Sequence, residues 1–235
     1  MFPLRDTVRS RTFPVVNVTI IVINILVFLY EFALGPHIEV FIREYGLTPV
    51  RFFWGFQHNI PDAILPLFTS MFLHGGWIHV LGNMWFLYIF GDNVEDRVGH
   101  GGYIVFYLLC GIGAALSQTF LFRQSQIPMV GASGAIAGVL GAYFLLFPHA
   151  RVLTLIPIFI FLQIMEIPAV VFLLFWFLFQ FLQGTFAAST EGGGVAWWAH
   201  IGGFIAGMAL VFVFKKKEPQ SPGAIYLDEP PRYRL

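Results

Sequence analysis

Residues Met129–Gly138 read MVGASGAIAG. A single hydroxyl, Ser133, stands among small residues at the head of an apolar run. That run continues through Val139, Leu140, Ala142, Phe144, Leu145 and Leu146. Such a serine serves as a helix cap, as a small residue for close packing, or as a nucleophile. The groups that reach the same depth in the fold decide among these roles.

The surrounding chain sets the medium. Of its 235 residues, 57% are hydrophobic and 11% charged, and the net charge is zero. A soluble domain carries about 25% charged residues, so the chain reads as an integral membrane protein. A neutral balance gives nucleic acid no basic surface to bind. The one cysteine, Cys110, lies inside an apolar run and has no intrachain disulfide partner. Arg5, Arg9 and Arg11 precede the first apolar run, which is too long for a signal peptide core and is followed by no clear cleavage site.

A span needs about 20 apolar residues. The chain is expected to be an all-α membrane protein with six spans: Val15–Leu34, Gly76–Val94, Gly102–Phe122, Ser133–Phe147, Ile167–Gln183 and Val195–Phe214. Residues 1–14 form a short cytoplasmic segment, 15–214 the membrane domain, and 215–235 a proline-bearing cytoplasmic tail expected to be disordered. No segment reads as a soluble domain. The long first loop holds the amphipathic piece IEVFIREYGL and the aromatic cluster Phe52, Phe53, Trp54 and Phe56, which suits a membrane interface. The stretch VLTLIPIFIFLQIME is ambiguous: it extends the fifth helix, or it is an extended or interfacial segment. The Gly-rich stretch QGTFAASTEGGGVA is a candidate mobile cap.

Basic residues orient the bundle. With six spans both termini share a side, which then holds ten of the thirteen Lys and Arg residues. Arg43, Arg51 and Arg123 lie on the other. Both termini are therefore expected in the cytoplasm, an arrangement that suits a bacterial plasma membrane.

In this topology the second, fourth and sixth spans all enter from the outer side. The second carries His79 and Asn83, the fourth Ser133, and the sixth His200. Polar residues inside a span face the bundle interior or water and mark function by default. His79 and Asn83 are four apart and share a helix face; His74 falls in the approach to that helix. Gly134-x-x-x-Gly138 and Gly203-x-x-x-Gly207 let helix backbones come close. The fourth span, at about 15 residues and 22 Å, is too short for a 30 Å core, so Ser133 is expected at the floor of a wet recess.

A serine hydroxyl becomes a good nucleophile when a neutral histidine takes its proton. The N–H groups at a helix start, with Asn83 and His79, favour the anionic tetrahedral intermediate. No carboxylate accompanies these groups in the outer halves of the spans. The expectation is a Ser133–His200 dyad without an orienting acid, and without a metal or cofactor.

At these residues the chain resembles the rhomboid intramembrane serine proteases. The matching pieces are HGGWIHVLGN, GASG and AHIGG, in the family's order. The resemblance implies a nucleophile at Ser133 within Gly131-x-Ser133-Gly134 and a base at His200 beside Gly203. It implies an oxyanion hole of His79, Asn83 and the Ser133 backbone, and a structural role for Glu95 between Gly91 and Gly99. It also implies substrates that are single-span membrane proteins, cut near the outer end of their spans where small residues let the helix unwind. Two departures stand out. Ala137 occupies the place where some relatives carry an aromatic residue under the histidine, and loop 1 lacks a matching Trp-Arg pair.

Two other classes share some of these features. A small transporter would also use intramembrane His and Asn, but no inverted repeat and no mid-span acid is visible. An inactive rhomboid-like protein that binds membrane helices would have lost the serine or the histidine, and both are present. The sequence is silent on oligomeric state.

Overall fold

The computed structural model describes residues 1–158, 161–187 and 196–216. The expected disordered tail and most of the Gly-rich candidate cap lie outside the described residues. Among the described residues, three helices are long and apolar enough to cross a membrane: α1 (Val15–Ala33), α6 (His100–Leu121) and α9 (Trp197–Phe214). The first loop adds α2 (Ile38–Tyr45), α3 (Pro49–His58) and α4 (Ile60–Thr69) before α5 (Trp77–Val98). The α4 segment and α5 meet at 80° and count as a fourth candidate if taken as one bent span. Two further apolar helices are shorter in their apolar extent, α7 (Ser133–Leu146) and α8 (Ala169–Ala187). The result is a mostly helical chain with three to four candidate membrane spans.

The all-α expectation needs one correction. Strands β1 (Phe2–Asp6), β2 (Arg151–Ile158) and β3 (Phe161–Pro168) form an antiparallel sheet in that order. The ambiguous run after the fourth span is therefore a hairpin. Its alternative as a helical extension fails at Pro157 and Pro168, which cannot donate a helical backbone bond. The N-terminal segment supplies the third strand. Trp85 Nε1 donates to the Pro3 carbonyl at 2.7 Å and its ring stacks on Phe2, which seats β1 against α5. Asp6 accepts from the Tyr143 hydroxyl at 2.5 Å and from Asn93 Nδ2 at 2.9 Å.

Helix α7 is the axis of the molecule. Every residue from Gly134 to Tyr143 is buried, and the helix packs chiefly against α9, α6 and α5. A helix apolar on all sides belongs at the centre of a bundle. Small residues make the packing possible: a methyl group on Gly138 would overlap Cys110, and one on Gly141 would overlap the Phe204 carbonyl. The outer faces of α1, α8 and α9 present Leu26, Phe32, Leu174, Phe175, Phe212 and Val213, as a lipid-facing surface requires.

The C-terminal end of α5 is tied to α1. Glu95 is fully buried and accepts the backbone N–H groups of Val16 at 3.0 Å and Asn17 at 2.7 Å. Both N–H groups belong to the first turn of a helix, where no intrahelical partner exists. His100 bonds the same carboxylate. Gly91 is required beside it, because a side chain there would overlap the Asn17 amide and the Tyr103 hydroxyl.

The first loop is no loose connection. Leu47 exchanges both backbone bonds with Met129, at 3.0 and 2.8 Å, and Gly131 N–H donates to Ser70 O at 2.9 Å. These bonds satisfy the non-helical segment leading into α7. Arg51 braces the loop, donating to the carbonyls of Arg43 and Glu44 at 2.8 and 2.9 Å.

Candidate active site

Ser133 opens α7 without capping it. The N-cap position is Ala132, and no side-chain cap bond is made. The hydroxyl turns instead to α9, where Ser133 Oγ and His200 Nε2 are 2.7 Å apart. The approach depends on glycine: a methyl group on Gly203 would overlap the Gly134 carbonyl, and one on Gly207 would overlap the Gly138 carbonyl. Gly134 in turn fits against Ala114 of α6.

His79 and Asn83 arrive from the first two turns of α5. The ring of His79 lies against Gly131, whose φ of +127° favours glycine. A β-carbon there would sit 2.7 Å from His79 Nε2 and 3.6 Å from Ser133 Oγ, so the two side chains flank one α-carbon. Asn83 is buried, and its Nδ2 lies 3.0 Å from His74 Nε2. One amide hydrogen is used there and the second remains for another acceptor.

Three features escaped the sequence reading. His74, expected in the approach to the second span, is fully buried and holds Asn83. Its backbone N–H donates to the Glu31 carboxylate at 3.2 and 3.1 Å. The expectation that no carboxylate accompanies these groups is therefore corrected: Glu31, near the C-terminal end of α1, lies behind this network. The third is Gln180 of α8, whose Oε1 is 2.7 Å from His200 Nδ1. Only tertiary structure joins these residues, and no local spacing announces them.

Aromatic rings from α8 and α9 flank the His200 imidazole. The rings of Trp176 and Trp197 each lie 6.1 Å from that of His200. Their interplanar angles of 41° and 87° make them walls of the imidazole slot rather than a stacking platform.

The described residues thus place a serine and a histidine in contact across two adjacent helices of a chain with several candidate membrane spans. The family model for the Rhomboid domain matches residues 61–217, more than half of the chain, and the chain belongs to the rhomboid family. It is 33% identical over 163 residues to RHOMBOID-like protein 6, mitochondrial, of Arabidopsis thaliana, covering 66% of this chain and 45% of that one. It is 29% identical over 131 residues to Rhomboid protein 1, mitochondrial, of Saccharomyces cerevisiae, covering 51% and 37%. Over 76 residues it is 41% identical to Rhomboid protease GluP of Bacillus subtilis, covering 32% and 14%. In each case the match spans less than half of the relative's length.

Proposed function

We propose that this chain is an intramembrane serine endopeptidase with a Ser133–His200 dyad. The observation that carries the reading is the 2.7 Å approach of Ser133 Oγ to His200 Nε2. In this mechanism His200 Nε2 takes the hydroxyl proton as Ser133 Oγ attacks the scissile carbonyl carbon. The oxyanion is held by the Ser133 N–H, by the free hydrogen of Asn83 and by His79. His200 then returns the proton to the leaving amine, and the same base activates the water that hydrolyses the acyl-enzyme. No cofactor or metal takes part.

The topology proposed is that of six spans, α1, α5, α6, α7, α8 and α9, with both termini cytoplasmic, and the bilayer is a bacterial plasma membrane. Residues 15–214 then form the membrane domain. Substrates are single-span membrane proteins with small residues near the outer end of the span. Elsewhere each scissile carbonyl stays locked in a helical hydrogen bond.

The test needs no known substrate. Purified protein in detergent is treated with a fluorophosphonate probe, and wild type is compared with Ser133→Ala and His200→Ala. Labelling at Ser133 that both substitutions abolish supports the reading. A folded wild type that stays unlabelled in detergent and in liposomes favours a helix-binding rhomboid-like protein, and ion-coupled flux that survives Ser133→Ala favours a transporter.

A further inference from the structure

The dyad described above leaves one nitrogen of the histidine unused, and the structure fills it. Gln180 lies on α8 with its side chain buried, and its amide oxygen is 2.7 Å from His200 Nδ1. The other nitrogen, Nε2, faces Ser133 at 2.7 Å. An imidazole ring carries one N–H when neutral, and its place is set by the partner of the other nitrogen. An oxygen at Nδ1 requires Nδ1–H. Nε2 is then bare and able to accept the serine proton.

We propose that Gln180 is the positioning residue of the dyad, accepting Nδ1–H of His200 and holding the tautomer whose unprotonated Nε2 meets Ser133. The proposal rests on the serine protease reading and adds a third helix to it. It accounts for an amide where soluble triads use a carboxylate. A buried ionised acid in an apolar bundle is costly, whereas a neutral oxygen orients the ring at far lower desolvation cost. It also alters the chemistry. The imidazolium formed during attack has no counter-charge at Nδ1 and stays a strong acid, which speeds proton return to the leaving amine. Trp176, one turn before Gln180, and Trp197 of α9 limit the ring's swing, so the tautomer rather than the position is what Gln180 controls.

The experiment compares wild type with Gln180→Leu and Gln180→Glu by two readouts. The first is the rate of fluorophosphonate labelling of Ser133 across pH 5 to 9. Gln180→Leu is expected to slow labelling by about 10- to 100-fold, the range for losing a hydrogen bond to a group that becomes charged. Gln180→Glu is expected to retain labelling, with the acidic limb of its profile moved to higher pH by about a unit or more, because a carboxylate favours the imidazolium. The second readout, the ¹⁵N spectrum of histidine-labelled protein, reports the tautomer whether or not the protein is active. Nδ1–H is expected for His200 in wild type, and Nε2–H or a mixture in Gln180→Leu. Wild-type labelling rates in Gln180→Leu, an unshifted profile in Gln180→Glu, or an Nε2–H His200 in wild type would each overturn the proposal. A wild type with Nδ1–H that labels nowhere overturns the protease reading instead.

Discussion

The α-carbon of Gly203 faces the carbonyl oxygen of Gly134 with no room for a methyl group between them. The obstacle is backbone and cannot rotate aside. Gly203→Ala must push α9 from α7 and stretch the Ser133–His200 contact. Overpacking of this kind costs about 1–3 kcal/mol, so a lower melting midpoint and weaker fluorophosphonate labelling are expected together. Gly101→Ala serves as control, because its β-carbon meets open space on α6.

Gly131→Ala tests the oxyanion side. Its positive φ strains any L side chain, by about 1–3 kcal/mol, and the new methyl group would crowd His79. Turnover of a reporter substrate is expected to fall by more than stability alone explains, with labelling of the folded fraction also slowed. Normal turnover per folded molecule would remove His79 from the proposed oxyanion hole.

Asn83→Ala deletes one oxyanion donor among several. A loss of about 10²–10³ in kcat is expected, against complete loss for Ser133→Ala. The substitution also strips His74 of its partner, so the melting midpoint must be followed alongside. Complete loss in a well-folded Asn83→Ala protein would contradict the assignment.

Glu95→Gln strikes the joint between α5 and α1. The amide offers one neutral acceptor to the two N–H groups that the carboxylate holds. Hydrogen bonds to a charged group contribute about 1.5–3 kcal/mol each, and a fall in thermal midpoint of several degrees is expected. Turnover per folded molecule should stay near wild type, since the dyad lies at the far end of the bundle. A stable variant with poor turnover would argue against a structural role.

Burial lifts the Asp6 carboxyl to about 7, while the Tyr143 hydroxyl pulls it down and Asp92 adds to the rise. An aspartate released from the fold titrates near 3.9. The folded state therefore binds more protons between these values, and stability is lost as pH climbs through that window. Hydrogen exchange of residues 2–6, corrected for intrinsic rates, should show β1 opening more readily at pH 8 than at pH 5. In Asp6→Asn the dependence should flatten; an equally steep dependence would place the titration elsewhere.

Ser133, His79, Asn83 and His200 stand out in the sequence because polar residues are rare in spans, and the four-residue spacing of His79 and Asn83 puts that pair on one helix face. The role of Gln180 does not, because VVFLLFWFLFQFLQG holds two amides, Gln180 and Gln183, and nothing local says which one meets a partner. Glu31 and His74 meet across 43 residues of chain, and no local period links them. The pairing of β2 and β3 is hidden by a largely apolar run, whose periodicity alone does not separate strand from helix. The helix α4 is masked by Pro66, which stands inside it and argues against a continuous helix. The helices α1, α6 and α9 announce themselves by length and hydropathy; the contacts between distant segments do not.

The sheet has a bearing on how the protein is made. Phe2–Asp6 leaves the ribosome long before Arg151–Ile158, its pairing partner. During biogenesis the amino-terminal strand must wait, unpaired, while the helices from α1 to α7 are made. Joining β1 to β2 is then a late closure that clasps the first and the middle thirds of the chain. A bulky tag fused ahead of Phe2 would have to remain on the same side of the bilayer as residues 151–168, or the clasp would never shut.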